Sequence, residues 1–443
     1  MRIVLFTGKG GVGKTTTAAA TAVRAARSGL ATLVMSTDAA HSLGDALGHD
    51  LTAHGGMPAG PGQANDAVVE VEPGLHALQV STPHRVDRSW RVVQDYLLEL
   101  LATVGVDPVV AEELTSLPGA EEIAALLELR ARAGSGRWDL IVVDCAPTAE
   151  TLRLLALPEA LAWHLERLLP VQRGLLRSLR PAAAAATGMP LPGVEVAATV
   201  RGWATQMRDV QRLLTSEQAS VRLVLTPERV VIAESRRTWT SLSLYGFVVD
   251  QVIVNRVFPD ARAEARARGG RARPDPWRAA WNAAQQEGLA EVLESFAGVP
   301  VATSPYLAHE PIGVDALAAL AADRIGDDPA TLVSPVQNRG LAVRRVGSDY
   351  ELSLPLPLVD AAQVDLKRRD EELLVVVGDH RRVLTLPAVL KRCTVRSAAV
   401  RDGTLRVKFT PDVSVWPPDR LAPTEFGPDE GRPEAAGEGR WHG

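Results

Sequence analysis

Residues Gly8 to Thr16 read Gly-Lys-Gly-Gly-Val-Gly-Lys-Thr-Thr, set between the apolar run Ile3-Val4-Leu5-Phe6 and an Ala-rich stretch of helical character. A strand that feeds a glycine-rich turn and then a helix aims successive backbone N–H groups, and the positive end of the helix dipole, at one spot where polyphosphate can sit. The spacing is that of a full P-loop in its required strand–turn–helix setting. Gly8, Gly10, Gly11, Val12, Gly13, Lys14, Thr15 and Thr16 form the cradle. Lys14 is placed to reach the β- and γ-phosphates, and the Thr15 hydroxyl to bind Mg²⁺.

Such a cradle needs a sheet behind it. Strand-like runs at Ile3–Thr7, Thr32–Ser36, Leu140–Asp144, Arg222–Thr226, Val248–Asn255 and Pro300–Ser304 are separated by helical patterns. That alternation predicts an α/β fold, a P-loop NTPase with a doubly wound, mainly parallel sheet that binds ligands at its carboxyl edge. Asp38 and Asp144 fall at strand ends on that edge. ATP hydrolysis needs a metal-holding carboxylate and a group that positions water. Asp144, closing the apolar run Leu140-Ile-Val-Val in the Walker-B manner, is expected to hold Mg²⁺ through water or through Thr15. Asp38 is expected to orient and deprotonate the attacking water, although on its own it also fits a helix N-cap.

Composition narrows the partners. The chain has 443 residues, 46% of them hydrophobic, and a net charge of −5. It can build a substantial core, but its charge would draw neither nucleic acid nor an anionic membrane. No run of eighteen apolar residues appears, and the N-terminus enters a core strand directly, so a cytoplasmic protein without stable membrane insertion is expected. Cys145 and Cys393 are the only cysteines, too few and too separated for a thiolate metal site within one subunit. Two long helical inserts, about 83–133 and 151–218, carry apolar stripes: Trp90, Val93, Leu97, Leu100 and Leu101 in the first, Trp163, Leu165, Leu168 and Leu169 among others in the second. They fit either a self-packed helical cap or an apolar client groove. His54–Asp66 and the Arg-rich Pro259–Pro276 segment read as mobile surface loops.

From about Leu341 the pattern becomes antiparallel β. Tyr350–Leu358 alternates, Leu373–Val377, Val383–Leu386 and Leu405–Phe409 follow as short strands, and Asp402-Gly403 is a hairpin signal. Two prolines in the first of these strands predict that it lies at a sheet edge. The stretch LPLPLVDAAQVDLKRRDEELLVVVGDHRRVLTLP with the later DGTLRVKF resembles the α-crystallin fold of small heat-shock proteins. The expected organisation is an ATPase domain over 1–333, a β domain over 341–410 and a disordered tail over 411–443.

GKGGVGKTT, STDAAHSLGDAL and DCAPTAETLRLL, in this order, resemble the P-loop, switch I and switch II of the ArsA family, which contains arsenite-efflux ATPases and the guided-entry ATPases that carry tail-anchored membrane proteins. The likeness extends to Leu117-Pro118-Gly119, to VIVNRV at Val252–Val257 and to SPYLAHEPIG at Ser304–Gly313. It implies a homodimer, because the chain has one P-loop, with Lys9 reaching across the two-fold axis to the partner's nucleotide. It also implies that Asn255 reads the adenine, although a strand-end hydrogen bond would equally account for that residue, and that the loop Pro305–Pro311 closes over the base. The client would be a hydrophobic protein segment, such as a membrane protein's, or a small ligand. The alternatives are an energising subunit for arsenite or anion efflux and, further off, a ParA- or MinD-like positioning ATPase. The chain departs from the family pattern at Ala39, where switch I usually has Pro, and at Ala149-Glu150, where switch II has Gly-His. The cysteines that bind metalloid in the pumps are missing, as is the zinc-bridging pair of the eukaryotic guided-entry ATPase. An appended α-crystallin-like domain resembles a bacterial and plastid-type branch.

Overall fold

The computed structural model describes residues 1–37, 42–51, 68–80, 94–96, 98, 102, 120–145, 193–259, 275–324, 329–337 and 340–415. Its larger part is an eight-stranded sheet. In chain order the strands are β1 (Arg2–Thr7), β2 (Thr32–Ser36), β3 (Val69–Glu72), β4 (Leu75–Gln79), β5 (Leu140–Asp144), β6 (Ala219–Leu225), β7 (Val249–Val257) and β8 (Val301–Pro305). In space they run β3-β4-β2-β5-β1-β6-β7-β8, and every neighbouring pair is parallel except β3 with β4. Strands β1, β2, β5 and β6 are buried along their whole length, which is why their sequences are nearly continuous apolar runs rather than alternating ones.

The chain leaves β1 toward β2 on one side and later returns across β5 to β6 on the other, so the strand order reverses beside β1. Right-handed crossovers then lay the helices of the two directions on opposite faces. Helix α1 (Lys14–Arg27) packs over β1, β2 and β5 and against α7 (Val314–Arg324). Its Ala18, Ala19, Ala22, Ala25 and Ala26 are all buried; such small side chains let the helix pack closely on its neighbours. Helix α3 (Ala120–Ala133) packs against α4 (Val194–Leu214), and α5 (Arg229–Leu244) against α6 (Pro276–Ser295), with α4 and α5 both touching β6. The short α2 (Ser42–Leu47) lies against α1.

The C-terminal part has two antiparallel sheets. Strands β9 (Ala342–Val346), β10 (Asp349–Pro355), β14 (Cys393–Arg401) and β15 (Thr404–Pro411) form one in the order β14-β15-β10-β9, and β11 (Val364–Arg369), β12 (Glu372–Val377) and β13 (His380–Thr385) form the other in sequence order. Leu352, Leu354, Leu373, Val375, Leu384, Val407 and Phe409 fill the space between them. Asp402 and Gly403 both adopt positive φ, 50° and 64°, at the β14–β15 turn, as the hairpin signal requires. The proline argument for an edge strand is overturned: β10 lies between β15 and β9. Its ladder with β9 ends at Ser353, paired with Ala342, whereas the ladder with β15 continues to Pro355 opposite Thr404. The first proline therefore sits where the strand already has only one neighbour, and its missing N–H costs no hydrogen bond on the β9 side. Strand β15 ends at Pro411, the residue at which the tail was expected to begin.

Most of the two helical inserts, the whole of His54–Asp66, the Pro259–Pro276 segment apart from its ends, Leu117-Pro118-Gly119 and residues beyond 415 lie outside the described residues. Pro276 opens α6, with the Asp275 side chain accepting from the Trp277 N–H at 3.2 Å. No helix among the described residues is long and apolar enough to cross a membrane.

Candidate active site

The site assembles at the carboxyl edge of the sheet, where β1 gives way to α1. Gly8 is the first residue past β1, and a methyl group there would lie 2.0 Å from the Val224 carbonyl oxygen of β6. Only glycine lets the turn pass over the end of that strand. Gly10 and Gly11 face open space. Gly13 caps α1 with φ 95°, and a Cβ there would come within 2.2 Å of Asn255 Nδ2. The first bond closing the helix runs from the Thr17 N–H to the Gly13 carbonyl at 3.0 Å. The amides of Lys14, Thr15 and Thr16 thus belong to the opening turn, where a helix has no internal acceptor to offer and an anion is the natural partner.

Side chains complete the cradle. Lys14 is buried and arches back over the turn, its Nζ donating to the Lys9 carbonyl at 3.3 Å. Thr15 Oγ1 donates to Asp144 Oδ2 at 2.8 Å and lies 3.3 Å from Ser42 Oγ. Ser36 Oγ donates to the same carboxylate oxygen at 3.3 Å. This convergence follows from register: Asp144 is opposite Phe6 of β1 on one side and Ser36 of β2 on the other. A carboxylate and hydroxyls form the hard-oxygen donor set that Mg²⁺ favours, with room beside Gly10 and Gly11 for phosphate oxygens, so these residues fit the metal. Next to Asp144, burial and the carboxylate's charge push the Cys145 thiol well above its ordinary value.

Asn255, at the end of β7, donates from Nδ2 to the Val12 carbonyl at 2.8 Å and is buried. Its amide therefore ties β7 to the P-loop. Pro305 closes β8 opposite Val257 of β7. Beyond it, Tyr306 donates its N–H to the Val257 carbonyl at 2.9 Å and stacks on Phe258, ring centroids 5.0 Å apart. The structure thus brings Gly8–Thr16, Asp144 and Asn255 into contact and sets Pro305 on the adjacent strand end. Lys9 points outward, its side chain 40% exposed and its Nζ 3.7 Å from Glu234 Oε2 of α5. Asp38 lies outside the described residues, as do Ala39, Ala149 and Glu150. Thr37, immediately before Asp38, is fixed by its N–H to the Asp144 carbonyl at 2.9 Å.

Four residues here escaped the sequence reading. Ser36 and Ser42 flank Asp38 in the quoted motif region but carry no distinguishing pattern. Gln285, buried in α6, accepts from the Phe258 N–H at 2.7 Å and donates to the Arg256 carbonyl at 3.0 Å. It braces the exit of β7, where Arg256 holds a left-handed φ of 58°, a conformation that a non-glycine residue keeps only with such support. Glu234 was likewise not legible.

A family model described as "Anion-transporting ATPase", of the ArsA type, matches residues 1–325, and one described as "HSP20-like domain found in ArsA" matches residues 347–409. An uncharacterised Streptomyces coelicolor protein, SCO2128, is 37% identical over 425 residues, covering 95% of this chain and 100% of its own. A Chlorobaculum tepidum protein named "Putative arsenical pump-driving ATPase" is 34% identical over 414 residues, 92% of this chain and 96% of its own. ATPase GET3B of Arabidopsis thaliana is 30% identical over 268 residues, 58% of this chain and 65% of its own. A glycine-rich turn at the strand-order reversal, with a threonine–aspartate pair beneath, is thus joined to a sequence match over most of the chain: it belongs to the ArsA ATPase family and is an ATP-hydrolysing enzyme.

Proposed function

We propose that the chain acts as a Mg²⁺-dependent homodimer in which ATP bound at the subunit interface favours a closed state, and hydrolysis to ADP and phosphate releases it, opening and closing a helical surface that holds a hydrophobic protein segment or small ligand. The observation that carries this reading is the pairing of an inward lysine with an outward one on the same turn. Lys14 is buried over the turn while Lys9 reaches outward to a partly exposed contact with Glu234, which supports assigning one ammonium to the chain's own nucleotide and the other, once released, to a nucleotide held by a second copy.

In this account Lys14 carries positive charge against the β- and γ-phosphates, where charge develops during phosphoryl transfer. Thr15 and Asp144 hold Mg²⁺, Asp144 directly or through water. Mg²⁺ held by these two residues would supply charge neutralisation at the β- and γ-phosphate oxygens. Asp38 orients the attacking water and accepts its proton. Asn255 and the strand end at Pro305 border the base. Loss of the γ-phosphate removes contacts to Lys9 and Asp38, which shifts the population toward the open dimer.

Replacing Asp38 with Asn tests the assignment. Mg·ATP binding should stay near the wild-type level while turnover falls by about two orders of magnitude, because only the water-positioning group is lost. Binding by calorimetry and turnover by phosphate release separate the two effects; normal turnover removes Asp38 from the role. The same trapped variant, loaded with ATP in its native cytosol, is the natural bait for a client.

GET3B lends its name to the client-carrying side of this reading. A second reading, an energising subunit for anion efflux, is favoured by the name of the Chlorobaculum relative. Against it stand the chain's two cysteines, both buried. Strong stimulation of ATP turnover by arsenite or antimonite would decide for the efflux reading.

A further inference from the structure

Lys9 is not idle within a single chain. Its ammonium lies 3.7 Å from the Glu234 carboxylate, both side chains about one-third to two-fifths exposed. The backbone is held at both ends of this contact. On the Lys9 side the backbone is fixed: its carbonyl accepts from Lys14 Nζ, and Gly8 is wedged against the Val224 carbonyl. On the Glu234 side the helix is fixed. Ile232 N–H bonds the Glu228 carbonyl at 2.9 Å in the first turn. At the far end Thr240 Oγ1 donates to the Pro357 carbonyl at 2.8 Å, Arg382 Nη1 donates to the Leu244 carbonyl at 2.6 Å, and the Leu244 side chain is part of the β-domain core. What remains free to swing is the four-carbon arm of Lys9.

We propose that Glu234 is a positioning residue that latches Lys9 to its own subunit and thereby opposes nucleotide-driven closure of the dimer. The inference rests on the proposed cross-subunit role of Lys9. An ammonium paired with its own helix α5 is unavailable to the partner's nucleotide, so closing one dimer must break two such pairs. The triphosphate wins because it offers several negative charges where Glu234 offers one, but the closing equilibrium is set lower than Lys9 alone would set it. The β domain, by pinning α5, keeps the carboxylate in place.

The magnitude is modest per pair and doubled by symmetry. A half-exposed ion pair shifts an equilibrium by a factor of about two to three, so removing both from a dimer should tighten association about four- to ten-fold. The effect should shrink as salt rises, because partly exposed charges are screened.

The experiment is sedimentation equilibrium of the full chain with Mg²⁺ and a non-hydrolysable ATP analogue, at low and high salt, on wild type, Glu234→Gln, Lys9→Ala and the double variant. The expected result is tighter nucleotide-driven association for Glu234→Gln at low salt, weaker association for Lys9→Ala, and no further change when Glu234→Gln is added to Lys9→Ala. If Lys9→Ala weakens association but Glu234→Gln leaves it unchanged or weaker, the latch is wrong and the reading of Lys9 stands. If Lys9→Ala leaves association intact, the cross-subunit reading itself fails and takes the latch with it. A Glu234→Gln gain that persists in the Lys9→Ala background assigns the effect to another contact and also overturns the latch.

Discussion

Lys14→Ala should lower ATP turnover by about 10²- to 10³-fold, the loss expected when one preorganised positive group is removed from developing phosphate charge. The side chain has little else to do. It is buried, and its Nζ contacts the Lys9 carbonyl within the same turn, so the variant should keep its sheet and helices. Because the charge matters most as the γ-phosphate departs, kcat should fall more than affinity for ADP. Phosphate release and ADP titration measure the two separately. Unchanged turnover would mean that hydrolysis takes place away from this turn.

The second large effect is expected at Gly8. Alanine would place its methyl 2.0 Å from the Val224 carbonyl oxygen and 3.3 Å from Val12 Cγ2. The first collision is between that methyl and a backbone carbonyl of β6, a strand buried along its whole length, which cannot yield without moving the strand end. The turn must lift instead, which withdraws the amides of Gly10 to Thr16 from their common focus. Nucleotide binding should be lost to calorimetric detection, with a stability loss of about 1–3 kcal/mol typical of overpacking. Alanine at Gly10, where a methyl group meets only open space, distinguishes a packing effect from a general intolerance of the loop. Retained nucleotide affinity in Gly8→Ala would show that this close approach does not shape the cradle.

How much of this was legible beforehand depends on the kind of interaction. Strands β2 and β5 have the bounds read from their apolar runs, Thr32–Ser36 and Leu140–Asp144, since a strand buried on both faces announces itself without reference to its neighbours. Strands β3 and β4 did not. Val-Glu-Val-Glu and Leu-His-Ala-Leu-Gln are short and mixed, and their strand character comes from pairing, β4 with β2 and β3 with β4. The proline rule misplaced β10 because it treats a strand as having one neighbour state along its whole length, whereas β9 covers only part of it.

The active site divides in the same way. The glycine turn, Thr15 and Asp144 stand out in the sequence because a local motif and a strand end mark them, and register brings Thr15 Oγ1 to 2.8 Å from Asp144 Oδ2. Asn255 was marked, but its contact with the Val12 carbonyl is a tertiary fact. Gln285 and Glu234 sit in ordinary helical sequence, and their partners are 27 or more positions away. No local pattern records such pairings; only the folded arrangement does.

The account's central claim is that the triphosphate is gripped by the Gly8–Thr16 turn with Lys14 and the Thr15–Asp144 pair at its terminal end. A crystal structure of the chain with Mg²⁺ and a non-hydrolysable ATP analogue measures this directly. The account predicts phosphate oxygens on the Gly10–Thr16 amides and on Lys14 Nζ, with the metal beside Thr15 and Asp144. Triphosphate bound elsewhere, with this turn empty, would contradict it.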